Sequence, residues 1–451
     1  VSSLTQGGII GLIALVLFMT GMPIAFALAI TALASIVFFL GPDQFSLFGK
    51  MTFDSLNDFG LLAIPLFVLM GNMFGGSHAS RQLFEAGEAW LSRIRGGLAM
   101  SSVAASTLFA ALTGSSAATA AAIGRVAVPE MEKRGYSARI ATGAIAAGGT
   151  LGILIPPSVT LILYGIAAEQ SIGQLFAGGI VPGIILALMF CVWIFIAQTM
   201  ENRASDRRAA RDGTGGAATL SGPRAQRRYT WAERFTSLTK VLPFAALIAV
   251  VLVVLYRGIA TPSEAAAIGV LLVWILVALI YRGLSGRALM EVLKESTNQS
   301  TMILMITAFS AVIATVLSYL RVPQDLAALV SDAELNRWVV LLLINIVLLV
   351  MGCFLPPVSI IVMTTPILLP MILALGFDPI WFGVVMTINM EMGLITPPVG
   401  LNLYVLKGIA PHIPLKEILL GSMPYIGVMT LALVLFSVFP QIVLFVPNWL
   451  Y

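Results

Sequence analysis

Charge is what this chain most lacks. Only 10% of its 451 residues are Asp, Glu, Lys or Arg, whereas a soluble domain carries roughly 25%, and the shortage excludes a water-soluble globular protein. Hydrophobic residues make up 59% of the chain and the mean hydropathy is +0.99, so most of it must lie in lipid. Cysteine is almost absent: Cys191 and Cys353 both sit in apolar runs without metal-ligand spacing, which excludes a disulfide framework and a zinc site. The two histidines, His78 and His412, supply no H-E-x-x-H motif and no Ser–His pair, so the chain does not read as an enzyme. The formal net charge of +4 is gathered in a few loops, and no nucleic-acid partner is expected.

What is present is a series of apolar runs, such as 3–20, 23–41, 60–77, 171–200, 265–281 and 417–441, each near the ~20 residues that span a hydrocarbon core. They are continuous and lack the period-two alternation of barrel strands, so they predict helices. The first run has no charged leader and no A-x-A end, and it is expected to be a retained membrane helix rather than a signal peptide. One stretch interrupts the pattern: residues 201–240 hold eight arginines, Lys240, four acids and the small-residue run Gly213 to Leu220. It predicts a basic cytoplasmic linker ending in an amphipathic helix at about 231–240.

The halves on either side, 1–200 and 241–451, match at a constant offset of 241: Pro129 with Pro370, Gly135 with Gly376, Gly152 with Gly393, and Pro156-Pro157 with Pro397-Pro398. Charge separates the matched loops. The segment from Glu132 to Arg139 is basic, whereas its counterpart, 373–380, carries only Asp378. Because cytoplasmic loops are rich in Lys and Arg, equivalent loops fall on opposite sides of the membrane, the pattern of an inverted-topology repeat. The threading this predicts contains a re-entrant hairpin at about 97–133 and a broken helix at about 138–168. Their upside-down counterparts are a hairpin at about 338–375 and a broken helix at about 379–411. It places 20 of the 25 basic residues in the cytoplasm and four outside, with Arg125 inside a hairpin. The expected fold is thus an all-α polytopic membrane protein built as an inverted-topology repeat with two re-entrant hairpins and two broken helices.

Four breaks interrupt apolar segments: Thr113 to Ser116, Gly152 to Ser158, Cys353 to Pro357, and Gly393 to Gly400. Unpaired backbone groups cost several kcal/mol each in lipid, so the breaks must be packed in protein or line a polar cavity. Broken helix ends offer carbonyls to a cation and N–H groups to an anion. The first candidate sodium site is therefore Thr113, Gly114, Ser115 and Ser116 facing Gly152, Pro156, Pro157 and Ser158. Symmetry adds a second, with Cys353, Leu355 and Pro356 facing Thr396, Pro397 and Gly400. Glu391 is an acid inside a spanning segment, where a charge costs about 2.5–3.5 kcal/mol; it reads as a cation ligand, a proton carrier or a structural acid. Ser116, Arg125, Ser359 and Asn402 are the candidate substrate contacts, although Arg125, about one turn from Pro129, reads equally as a residue snorkelling to the surface. Thr261 to Glu264 has the form of a capping box.

Four stretches carry a family resemblance: Thr113-Gly-Ser-Ser-Ala-Ala-Thr-Ala-Ala-Ala-Ile-Gly124, Gly152-Ile-Leu-Ile-Pro-Pro157, Ala260-Thr-Pro-Ser-Glu-Ala-Ala266, and Glu391-Met-Gly-Leu-Ile-Thr-Pro-Pro-Val-Gly-Leu-Asn402. Together and in this order they resemble the large (M) subunit of the tripartite ATP-independent periplasmic (TRAP) transporters over nearly the whole chain. The resemblance implies a bacterial inner-membrane permease driven by sodium, with no other cofactor, that imports an organic acid such as a C4-dicarboxylate or a sialic acid. It also implies a small membrane Q subunit, a periplasmic substrate-binding P protein and an elevator mechanism. The alternative is a stand-alone sodium-coupled carboxylate transporter of the same superfamily.

Overall fold

The computed structural model describes residues 2–75, 79–211, 229–279, 285–332 and 335–451, and every regular element among them is a helix. A chain this apolar has to satisfy its backbone polar groups within each segment, and the helix does so. The first half runs through α1 (Ser3–Met19), α2 (Ile24–Ser35, continued by a π turn to Leu40), α3 (Ser46–Leu56), α4 (Ala63–Gly75) and α5 (Ala79–Leu91). It continues with α6 (Gly97–Thr113), α7 (Ser116–Lys133), α8 (Ala138–Leu154), α9 (Val159–Ala167) and α10 (Ile172–Arg211). The second half comprises α11 (Trp231–Tyr256), α12 (Pro262–Leu279), α13 (Gly286–Tyr319), α14 (Val322–Asp332), α15 (Arg337–Gly352) and α16 (Pro357–Ala374). It closes with α17 (Pro379–Leu394), α18 (Leu401–Ile409), α19 (Leu415–Val438) and α20 (Gln441–Leu450). Six of the described helices are long and apolar enough to cross a membrane, or eight spans if two bent pairs each count as one. The chain is a multi-pass membrane protein.

Local chemistry sets the boundaries, and it repeats at the 241-residue offset. Gly135 (φ 81°) and Gly376 (φ 74°) follow α7 and α16 in the left-handed region that favours glycine. Two residues on, the Ser137 and Asp378 side chains accept from Ile140 N and Trp381 N and so cap α8 and α17. Both Pro156-Pro157 and Pro397-Pro398 are cis. The expected capping box is present, with Thr261 N donating to Glu264 Oε2 at 2.8 Å.

The two helices that the offset relates, α8 and α17, form the centre. Every residue from Ile140 to Leu154 and from Ile380 to Leu394 is buried, and the two helices touch. Glycine permits their close neighbours: a Cβ on Gly143 would run into the Gly421 carbonyl of α19, and one on Gly421 into the Arg139 carbonyl. Gly352 and Gly393 bring α15 against α17 in the same way. In lipid, where helices gain nothing by hiding apolar surface from one another, such close backbone approach is a main source of cohesion.

The basic edge around Glu132 to Arg139 is tied to acids. Arg134 bonds Glu88 at 2.6 Å and Glu130 at 2.8 Å, and Arg139 bonds Glu417 at 2.7 Å. Burial opposes the Arg134 charge, but the Glu88 and Glu130 bonds outweigh it and hold its pKa above the ordinary guanidinium value. His412 meets Glu132 at 2.8 Å, while His78 lies outside the described residues.

The 201–240 region differs from expectation. The helix expected at 231–240 is not separate: α11 runs unbroken from Trp231 through Pro243 to Tyr256, opened by a Thr230–Glu233 capping box. Its turn at Pro243 loses one backbone bond without ending the helix, as proline often does in membrane helices. Similarly α10 continues past 200 to Arg211, because the Ala, Arg and Glu residues there favour helix. The Gly213 to Leu220 run lies outside the described residues. Helices α3, α5, α14 and α20 lie outside the apolar runs expected from the sequence; all are short and carry polar residues.

The crossing of α8 and α19 yields a clear test. Gly421→Val should lower stability in detergent by at least about 1–3 kcal/mol through overpacking, read as a drop in melting temperature. Gly427→Val on the same helix, where a Cβ meets nothing within 4 Å, should leave the melting temperature unchanged.

Candidate functional site

The first break is a sharp junction between α6 and α7. Gly114 takes φ 58° and ends α6, and Ser115 caps α7 by accepting from Ala118 N at 3.3 Å. Thr113 and Thr119 share a hydroxyl hydrogen bond at 3.0 Å, so Thr119 joins the expected residues; its place one turn beyond Ser115 was the signal in the sequence. The junction rests on the break between α8 and α9. A Cβ on Gly114 would lie 3.4 Å from Val159 Cγ2, 3.6 Å from Val159 N and 3.9 Å from Pro157 O. Pro156, Pro157 and Ser158 are buried, and Ser158 caps α9 through Leu161 N at 3.3 Å. Gly152 is a packing notch that admits the Ala110 side chain.

The second break repeats the arrangement. Gly400, at φ 58°, opens α18 and donates its N–H to the Cys353 carbonyl at 3.3 Å. This joins the α15–α16 junction to the α17–α18 break. Leu355 N closes the last turn of α15 on Met351 O at 2.9 Å, Pro356 stands at the N-cap of α16, and the Thr396 hydroxyl donates to Met392 O at 2.6 Å. The two breaks differ in exposure, for Pro156 and Pro157 are buried whereas Pro397 is half-buried and Pro398 exposed. Each short helix beyond a break also packs across to the other half, α9 on α16 and α18 on α7.

These contacts bring three predicted residues together. Asn402, in the first turn of α18, donates from Nδ2 to Ser116 Oγ at 2.8 Å. Glu391 on α17 is 1% exposed and faces Ser116, yet neither of its carboxylate oxygens makes a hydrogen bond of ordinary geometry. Asn402 Oδ1 and Ser359 Oγ are likewise buried without a partner. An acceptor left alone in an apolar interior is costly, and an ionised carboxylate far more so. The free oxygens of Glu391 and Asn402 beside Ser116 therefore have the chemistry to hold a monovalent cation, while Ser359 stands on α16. Arg125 is not part of the cluster: it is exposed and lies nine residues along α7 from Ser116, about 14 Å at 1.5 Å per residue.

Comparison with known proteins follows the same lines. The family model described as "Tripartite ATP-independent periplasmic transporter, DctM component" matches residues 11–442. The chain is 36% identical to the C4-dicarboxylate TRAP transporter large permease protein DctM of Pseudomonas aeruginosa, over 92% of each chain. It is 30% identical to the sialic acid TRAP transporter large permease protein SiaM of Vibrio cholerae, over 96% of each. Among solved structures, the YdaH transporter of Alcanivorax borkumensis shares the fold with a TM-score of 0.59, at 14% identity and covering 90% of this chain and 91% of that one.

The bond between the two breaks is directly testable. Asn402→Leu removes the only donor drawn to Ser116 Oγ among the described residues and should cost about 1–3 kcal/mol, seen as a lower melting temperature in detergent. An unchanged melting temperature would remove that bond from the account of how the halves are joined.

Proposed function

The chain belongs to the DctM component family of the tripartite ATP-independent periplasmic transporters, and from that premise we propose that it is the permease of a sodium-coupled importer of an organic acid. Membership makes it a transporter component and not an enzyme. The observation that carries the sodium coupling is the Glu391 carboxylate, buried beside Ser116 with no hydrogen bond of ordinary geometry among the described residues. A bound cation would neutralise it, with oxygens from Ser116 and Asn402 and the carbonyls of the broken helix ends completing the site. The two sites that the repeat relates stand at the paired breaks, Thr113 to Ser116 against Gly152 to Ser158 and Cys353 to Pro356 against Thr396 to Gly400. Sodium supplies the driving force, and the chain's own residues position it and shield it from lipid.

In this reading α6–α7 and α15–α16 are hairpins that enter from opposite faces, and α8–α9 and α17–α18 are the broken helices they rest upon. These elements move together as a transport domain past the remaining helices, an elevator. The substrate is a carboxylate, in keeping with relatives named for C4-dicarboxylates and sialic acid; Ser116, Asn402 and Ser359 are its candidate contacts, and Arg125, exposed and away from Ser116, reads as a surface residue. A small Q subunit and a periplasmic binding protein complete the system in the bacterial inner membrane.

Two measurements test this. In proteoliposomes with the partner proteins, Ser115→Ala and Ser116→Ala should raise the sodium concentration for half-maximal uptake by roughly tenfold, as loss of one polar contact worth ~1–2 kcal/mol implies. Unchanged sodium dependence would count against the site. Single cysteines at positions 133 and 378 should react with an impermeant reagent from opposite sides of the membrane, and labelling from one side would end the inverted-repeat reading. Full uptake without a binding protein would point instead to a stand-alone carboxylate transporter.

A further inference from the structure

Two adjoining cavities of about 360 and 340 Å³ share Trp338, Ser437 and Val438, and together they form one groove along α15, α17 and α19. Helices α15 and α19 each pack on α17, and the groove lies between them. Its deeper part is apolar, walled by Leu342, Leu433 and Val434. Asn345 and Asn389 form part of its lining, and their amides bond to each other at 2.6 Å. Next to it α15 turns Leu343, Val347 and Val350 outward, each about half exposed. In a membrane protein such a surface faces hydrocarbon.

The other end of the groove is polar. Arg337, the first residue of α15, lines it together with Asp378. The Arg337 guanidinium lies 5.2 Å from the Trp338 ring centre and 5.5 Å from that of Phe377, so two aromatic rings hold it in place. Asp378 accepts from Trp381 N at 2.9 Å to cap α17, and Arg337 makes no ion pair among the described residues.

Length and volume identify the occupant. From Arg337 to Ile346 α15 rises about 14 Å, close to the ~15 Å of one leaflet of a ~30 Å hydrocarbon core. A helix with side chains is ~10 Å or more across and would need roughly 1,200 Å³ over that length, far more than either cavity offers; a single acyl chain is slender enough. We propose that the groove is a binding site for one phospholipid with an anionic headgroup, its phosphate on Arg337 and one acyl chain between α15 and α19. A guanidinium meeting a phosphate forms charge-assisted hydrogen bonds, which select an anionic headgroup over a zwitterionic one whose own ammonium competes. Because α15 borders the second break, such a lipid would also brace that junction from its lipid-facing side.

The test uses the purified full chain in detergent, offered dioleoyl phosphatidylglycerol or dioleoyl phosphatidylcholine, with lipid retention counted by intact-protein mass spectrometry. The native chain should retain one phosphatidylglycerol about tenfold or more in preference to phosphatidylcholine. Arg337→Gln should reduce that preference to near one, and Val434→Trp, which fills the groove from an exposed position, should abolish retention of both. Arg257→Gln, at the exposed end of α11, should behave as the native chain. Added phosphatidylglycerol should raise the melting temperature of the native chain but not that of Arg337→Gln. Equal retention by the native chain and Arg337→Gln, or persistence of the bound lipid in Val434→Trp, would overturn the proposal. Failure of the native chain to retain any lipid would overturn it too and point to a protein partner in the groove.

Discussion

Inside a bilayer a backbone carbonyl or N–H that leaves its helix must be met by protein, because lipid offers it nothing. The four interruptions in this chain obey that constraint, and the architecture follows from how they do so. The α6–α7 junction sits on the α8–α9 break through Gly114 and Pro157. The α15–α16 junction is bonded to the α17–α18 break through Cys353 and Gly400. Breaks that would each be costly alone are thus paired, and the pairs are joined through Asn402 and Ser116.

This joining requires close approach, and the residues around it permit it. Glycines at 143, 352, 393 and 421 allow α15 and α19 to lie against the central helices α17 and α8 at distances that a Cβ would forbid. Polar anchoring is confined elsewhere: the Arg134 and Arg139 ion pairs stand at helix ends, where water lowers the cost of charge. Glu391 differs, an acid at the centre that faces Ser116 and accepts no hydrogen bond of ordinary geometry among the described residues. Acceptors thus stay free where the two halves meet, at Glu391 and at Asn402 Oδ1, the position the proposed cation would take.

The outer surface obeys a different rule. On α15 and α19 the exposed side chains are largely leucine and valine, and charge appears only where each of these two helices begins, at Arg337 and at Lys416 and Glu417. The junctions inside and the groove outside thus lie on two sides of the same helices.

Local chemistry wrote much of this into the sequence. Proline without a donor, glycine at positive φ and Ser, Thr or Asp at a helix start act over a few residues, so the four breaks, the capping box at Thr261 to Glu264 and the 241-residue repeat could be read without coordinates. The apolar runs likewise determined a helical membrane protein. Helix ends in the 201–240 region could not be read so well, because hydropathy marks where lipid ends and not where a helix does. Only the tertiary structure decided which breaks meet, that Asn402 reaches Ser116 across 286 residues, that Glu391 is buried facing Ser116, that Gly143 lies under Gly421, and that Arg125 lies away from the cluster. Those outcomes depend on how helices far apart in the chain are packed, and a contact between distant segments leaves no periodicity or spacing in either one.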